Sequence, residues 1–140
     1  MAVKLLQEEE LKAEKKYQLK LSFQMIKFKS LKRSKDFLKI LNKKKLNTKY
    51  YTIYFDKNSK NLSNSLNISF VMKKKIGNSI TRNKIKRKLK YAVQKITKEN
   101  KLIDLNYTYV IFGKNNVYKD KFSLVFNEVN EVFKKIGNRL

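Results

Sequence analysis

The sequence predicts an α+β fold, in which helices cover a small, mostly antiparallel sheet of three to four strands. Two consecutive segments alternate as strands do, a third strand-like segment follows a long helical pattern, and the last segment places its apolar residues at helical spacing. The predicted order is therefore α-β-β-(β)-α-β-α, a layered arrangement in which the helices cover one face of the sheet. A chain of 140 residues suffices for one such domain with a modest core.

The sequence of the first half of the domain predicts one helix and two strands. Ser34 is a candidate N-cap for a helix over residues 34–44, whose apolar stripe includes Phe37 and Ile40. Residues 50–55 are aromatic and β-branched, which favours a strand, and residues 66–72 alternate in the same way. Because side chains alternate between the two faces of a strand, only one side of residues 50–55 can line a cleft.

The sequence of the second half of the domain predicts a long helix, a third strand and a final amphipathic helix. Gly77 and Asn78 interrupt the chain, and Asn78 or Ser79 can cap a helix that continues to about residue 98. Residues 107–112 predict a strand ending at Gly113. Gly137 is a natural stop for the last helix. The apolar face of that helix is formed by Phe122, Val125, Phe126, Val129, Phe133 and Ile136.

The N-terminal segment differs in composition from the remainder of the chain. Residues 1–27 are predicted to be an extension, poorly ordered or partly helical, and residues 28–140 a single domain. The extension carries an acidic cluster at Glu8, Glu9 and Glu10 and no apolar stretch of the kind found in signal peptides, so we expect no secretory signal.

The composition restricts the partners and the chemistry. Lysine and arginine number 35 against 11 acidic residues, which gives a formal net charge of +24. A domain with this charge attracts polyanions, so nucleic acid is the first partner class and an anionic membrane surface the second. With no cysteine and no histidine, the chain lacks thiolate chemistry, the usual zinc ligands and the commonest general base. Outside the N-terminal extension the acidic residues are scattered, and we expect neither a metal site nor a catalytic residue in this chain.

This charge is densest where the long helix begins. Residues 73–90 contain nine cationic side chains and no acidic one, and no acidic residue occurs between Asp56 and Glu99. The apolar residues of this helix must pack on the sheet, so Asn83, Arg87 and Lys90 are predicted to point away from it. A solvated surface helix normally mixes charges of both signs. The segment is therefore interpreted as an RNA-binding ridge, with a merely solvated face as the alternative.

In these residues the chain resembles the bacterial ribonuclease P protein family. The central helix of that family begins Lys-Lys-x-Gly-Asn-Ala-x-x-Arg-Asn-(Arg/Lys)-hydrophobic-Lys-Arg-x-hydrophobic-Arg, and residues 74–90 here read KKIGNSITRNKIKRKLK. This sequence has Ser79 where Ala is usual, Lys84 where Arg is the commoner residue, and Lys90 where Arg is usual. The resemblance extends from about residue 28 to residue 136, but Phe112-Gly113-Lys114 stands where an Ala-Arg-Lys or Ala-Arg-Pro sequence is usual.

The resemblance implies a protein that assembles with a large catalytic RNA, which cuts the 5′ leader from precursor tRNA. It implies a left-handed βαβ crossover, Mg²⁺ held mainly by the RNA subunit, a cytoplasmic location, and no membrane or DNA partner. The residues that match the motif facing the RNA subunit are Lys74, Lys75, Asn78, Arg82, Asn83, Lys84, Lys86, Arg87 and Lys90.

Family members also bind the leader in a cleft between the first helix and the sheet. Phe37 occupies the position of a family phenylalanine. From their positions, Phe37 and Tyr54 are the candidates for stacking on bases, with Lys35 and Lys49 for phosphates. Each aromatic residue could instead belong to the core. Two rival functions stay open on the sequence alone, namely a ribosomal or RNA-assembly protein and a stand-alone nuclease.

Overall fold

The computed structural model describes residues 26–57, 65–99 and 103–138. The predicted extension lies outside the described residues apart from Ile26 and Lys27, and Lys27 already begins the first strand. The division at residue 27 therefore stays a prediction.

The sheet has five strands and is mixed. The strands are β1 (Lys27–Lys29), β2 (Lys44–Asn47), β3 (Tyr51–Lys57), β4 (Ser65–Val71) and β5 (Tyr107–Gly113). Their order across the sheet is β1-β4-β5-β3-β2. The pairs β1–β4 and β4–β5 are parallel, whereas β5–β3 and β3–β2 are antiparallel. The α+β class is confirmed, but the prediction of three to four mostly antiparallel strands missed the two short edge strands.

The helical elements are α1 (Ser34–Leu41), a 3-10 turn (Lys74–Ile76), α2 (Ser79–Glu99), α3 (Asn116–Lys119) and α4 (Phe122–Asn138). The first helix is shorter than predicted because the chain turns after Leu41 and joins the sheet as β2. Its N-cap is Arg33 rather than Ser34, and no side chain caps it. Gly137 lies within the last turn of α4 rather than beyond its end.

The core lies between one face of the sheet and the two long helices. Tyr51, Ile53 and Phe55 of β3 are buried on this face, as the predicted alternation requires. The ring of Tyr109 on β5 meets that of Phe133 on α4 edge to face, with centroids 5.3 Å apart. The buried residues contributed by α2 are Ile85, Leu89, Ala92, Val93, Ile96 and Thr97.

The helix α1 lies over the opposite face of the sheet, where it contacts β2, β3 and β5 and buries Ile40. The prediction that all helices share one face was therefore wrong. The basic helix α2 connects β4 to β5, which pair side by side in parallel with Asn67 opposite Thr108. This is the βαβ crossover implied by the resemblance, and its left hand stays a prediction.

Candidate RNA-binding surface

The start of the basic helix is fixed by its own sequence. Gly77 has a φ of +156°, which lets the chain turn sharply after the 3-10 turn. The side-chain oxygen of Asn78 then accepts a hydrogen bond of 2.9 Å from the backbone N–H of Thr81. Of the two predicted N-caps, Asn78 and Ser79, it is therefore Asn78 that caps α2 and holds its first turn in place.

The predicted basic face of α2 is largely exposed. Of the nine residues matched to the family motif, only Arg82 is half-buried, while the other eight are exposed to solvent. The apolar stripe of the same helix is fully buried against the sheet, so the cations stand on a firmly packed support. The Nε atom of Arg82 is buried and has no hydrogen-bond partner within the described part of the chain.

Lys88 belongs to the same basic segment but is bound to the protein itself. Its ammonium group donates a hydrogen bond of 2.8 Å to the carbonyl of Val117 and a second one to the carbonyl of Asp120. These bonds tie α2 to the short helix α3. Lys88 is therefore a structural cation, in contrast to its exposed neighbours Arg87 and Lys90.

The side chain of Asp120 joins the loop before β3 to the loop after α3. Its carboxylate accepts a hydrogen bond of 2.7 Å from the hydroxyl of Tyr50 and lies 3.2 Å from the ammonium of Lys49. The hydrogen bond from Tyr50 lowers the pKa of Asp120 below its usual 3.8, and the bond and charge of Lys49 lower it further. The same hydrogen bond raises the pKa of Tyr50.

The face of the sheet beneath α1 carries a polar cavity of about 350 Å³. Two carboxylates, Asp36 and Asp56, occur in its lining together with cationic and neutral side chains. Asp36 lies in the first turn of α1, where an acidic side chain favours the helix N-terminus. The lining residues are Leu31, Asp36, Lys39, Ile40, Asp56, Lys57, Asn67 and Thr108.

A second cavity of about 370 Å³ lies toward the other end of β3 and is cationic. Its wall is formed by Lys73, Lys75 and Lys114, and Phe112 contributes an aromatic surface. The ammonium of Lys73 lies 5.6 Å from the centre of the Phe112 ring. Lys73, Phe112 and Lys114 were not among the predicted site residues. The alternation along residues 107–112 places Phe112 on the face opposite the buried Tyr109 and Ile111. This alternation is visible in the sequence and could have identified Phe112 as a candidate site residue.

The predicted leader-binding residues are not all brought together. Tyr54 lies on β3 between the two cavities, and its ring meets that of Phe112 edge to face at 5.5 Å. Phe37 and Lys35 lie on α1, half-buried and exposed respectively, and line neither cavity. Lys49 lies beside Asp120, with its ammonium 5.6 Å from the centre of the Tyr50 ring.

Residues 26–57, 65–99 and 103–138 contain no group of three or more acidic, histidine or cysteine residues placed to hold a metal ion. Within the same ranges, no helix is both long and apolar enough to cross a membrane.

An α+β domain that presents a capped basic helix beside a cationic, partly aromatic cleft belongs to the class of RNA-binding proteins. A family model described as Ribonuclease P matches residues 25–137. The chain therefore belongs to the ribonuclease P protein family, the protein component of a bacterial ribonucleoprotein endonuclease that pairs with an RNA subunit.

Individual relatives agree with this assignment. The ribonuclease P protein component of Mesoplasma florum is 30% identical over 105 residues, which are 74% of this chain and 91% of that protein. The component of Paramagnetospirillum magneticum is 29% identical over 75 residues, and the match spans only about half of that protein, 55%. The RNase P protein from Thermotoga maritima has the same fold, with a TM-score of 0.59 at 23% identity over 76% of this chain and 96% of that one.

Proposed function

We propose that this protein is the subunit through which ribonuclease P holds its catalytic RNA and the 5′ leader of precursor tRNA. The observation that carries the proposal is the exposed basic face of α2, which reproduces the family motif on a helix whose opposite side is fully buried. Each cation that neutralises a phosphate releases counterions, so binding should weaken steeply with salt. The half-buried Arg82, with its unpartnered Nε, is suited to a phosphate or base that completes its hydrogen bonds.

The leader is proposed to cross the sheet face that α1 covers only in part. Thr52, Tyr54 and Asp56 alternate onto this face of β3, so the two cavities and the Tyr54 ring form one continuous path. The cationic cavity supplies charge for phosphates and its Phe112 ring a surface for a base. Phe37 and Lys35 would extend the path along α1, whereas Lys49 would have to leave Asp120 in order to contribute.

The chemistry is proposed to belong to the RNA subunit. The described residues contain no group of three or more potential metal ligands, and the two carboxylates of the polar cavity, Asp36 and Asp56, share its lining with Lys39 and Lys57. This donor set does not fit a resident Mg²⁺. The proposal accordingly has Mg²⁺ held mainly by RNA, no catalytic residue in the protein, and action in the cytoplasm without membrane or DNA partners.

Reconstitution with the RNA subunit from the same genome tests this function. Cleavage of precursor tRNA at low Mg²⁺ should require both components, and the complex should bind precursor tRNA more tightly than mature tRNA. In Arg87→Gln/Lys90→Gln, loss of two phosphate contacts should lower the salt dependence of RNA-subunit binding by about 1.5 in log K against log salt.

The matched control is Lys134→Gln/Lys135→Gln, which removes two exposed cations from α4 and should leave both readouts near those of the wild type. If the protein binds RNA without enhancing cleavage, and does not discriminate precursor from mature tRNA, a ribosomal or RNA-assembly role is correct instead. Cleavage by the purified protein without RNA would indicate a stand-alone nuclease.

A further inference from the structure

A line of alternating cations and rings runs along the groove where α2 packs against α3 and α4. We call it the aromatic seam, and it consists of Lys84, Tyr91 and Lys95 on α2 with Tyr118, Phe122 and Phe126 opposite them. The ammonium of Lys84 lies 5.7 Å from the centre of the Tyr118 ring. Tyr91 packs on Phe122 with ring centres 5.2 Å apart.

The exposure of the two tyrosines on this seam sets them apart from the other aromatic residues. Five large apolar side chains of the described residues are exposed, and the only aromatic ones among them are Tyr118 at 47% and Tyr91 at 58%. Both lie on the seam. Neither tyrosine belongs to the hydrophobic core or lines either cavity of the sheet face.

The surroundings of these rings are cationic. Arg87 precedes Tyr91 by one helical turn, and Lys119 and Lys121 flank the Tyr118 side of the seam, all of them exposed. Asp120, which follows Tyr118 by two residues, is engaged by Tyr50 and Lys49. A flat apolar ring beside an uncompensated ammonium matches a nucleotide, whose base offers a π-face and whose phosphate needs a cation.

We propose that the aromatic seam is a second RNA-binding site, which stacks unpaired bases of the RNA subunit on Tyr118 and Tyr91. This inference rests on the proposed function and adds a stacking contact to a helix otherwise thought to bind by charge. The bases must be unpaired because both faces of a paired base are covered by its neighbours in the helix. Lys84, which marks the position of the Tyr118 ring, lies seven residues before Tyr91, about 10 Å along α2. The rings of Tyr118 and Tyr91 therefore bind separate bases rather than one continuous stack.

The test measures binding of the RNA subunit by Tyr118→Leu and Tyr91→Leu, which keep apolar bulk but remove the ring. The dissociation constant should rise about five-fold to about 150-fold for each, as expected for loss of a base stacked on an aromatic ring. The dependence of log K on log salt should not change, because no phosphate contact is lost. Lys84→Gln should instead reduce that dependence by about 0.7 to 0.9.

Two variants serve as controls. Tyr118→Phe keeps the ring and should bind within two-fold of the wild type. Leu124→Ala removes an equally exposed apolar side chain, 50% accessible, from another side of α4 and should have no effect. Unchanged affinity of both leucine variants, or a loss equal to that of Leu124→Ala, would overturn the proposal.

Ultraviolet crosslinking of the wild-type complex gives a second readout that does not depend on the stability of any variant. A nucleotide attached to a peptide containing Tyr118 or Tyr91 supports the seam, and attachment only elsewhere refutes it. If the wild-type protein fails to bind the RNA subunit at all, the proposed function fails and the seam with it. Wild-type binding with unaffected leucine variants refutes the seam alone.

Discussion

Substitution of Gly113 by alanine should destabilise the protein at the junction between the sheet and the basic helix. A Cβ atom at this position would lie 2.6 Å from the sulfur of Met72 and 2.9 Å from a methyl carbon of Ile85. The methionine can turn aside because its thioether is flexible. Ile85 is fully buried and β-branched, so it must retreat by about 0.5 Å, and the first turns of α2 must move with it.

Overpacking of this kind costs about 1–3 kcal/mol, and the smaller entropy of the unfolded alanine chain offsets about 0.4–1 kcal/mol. We therefore expect a net loss of about 0.5–2 kcal/mol, measured by urea unfolding, and a fall in Tm of roughly 2–8 °C. Because Ile85 lies between Lys84 and Lys86, affinity for the RNA subunit should fall as well.

The control is Gly137→Ala on α4, where the added Cβ would meet nothing within 4 Å. Alanine favours the helix, so this variant should be neutral or gain up to about 1 kcal/mol. If both variants have the stability of the wild type, the close contact at Gly113 does not constrain α2 and the reasoning is refuted.

Three further predictions concern the basic helix and its supports. Asn78→Ala removes the N-cap and should cost about 1 kcal/mol in urea unfolding, whereas Asn78→Asp should keep the cap; equal loss in both would contradict the capping role. Lys88→Met should lower stability by about 1–3 kcal/mol and leave the salt dependence of RNA binding unchanged. Lys90→Met should leave stability unchanged and reduce the salt dependence of RNA binding. Tyr50→Phe removes the hydrogen bond that lowers the pKa of Asp120. Because the folded pKa is depressed, the stabilisation is complete above the unfolded value near 3.8 and is lost as the pH falls through the lower folded pKa. The stability difference between wild type and Tyr50→Phe should therefore be constant at neutral pH and shrink below about pH 4, and a difference independent of pH would contradict it.

The sequence predicted the elements whose patterns are decided by burial. The strands β3, β4 and β5 and the helices α2 and α4 each bury one periodic set of apolar residues, and periodicity records that burial directly. The strand β2 could not be predicted, because Lys44, Lys45 and Asn47 have no preference for strands and pair only because β3 offers them a free edge. Propensity was overridden there by tertiary pairing.

The candidate site likewise has a part that the sequence predicts and a part that it does not. The exposed polar face of α2 follows from helical periodicity once the apolar stripe is assigned, and five of the six matched residues within α2 are exposed. The partners of individual cations do not follow, because they depend on residues distant in sequence. Lys88 is bound by carbonyls about 30 residues away and Lys49 by a carboxylate about 70 residues away, and no local pattern carries that information.

The position of the basic helix within the parallel crossover also bears on how the chain folds. The strands β4 and β5 pair across about forty residues, with Asn67 opposite Thr108, and α2 occupies most of the segment between them. Pairing distant strands in parallel is slow because a long loop must close first. In this protein that loop carries a dense like charge, so the free chain must bring mutually repelling side chains together before the central strands meet. A polyanion that binds the folded α2 more tightly than the unfolded chain relieves this repulsion and draws the equilibrium toward the folded form. The RNA partner would thus favour folding of the protein as well as form the centre of the assembly. Protein without bound RNA would fold more slowly and be degraded more easily than protein bound to it.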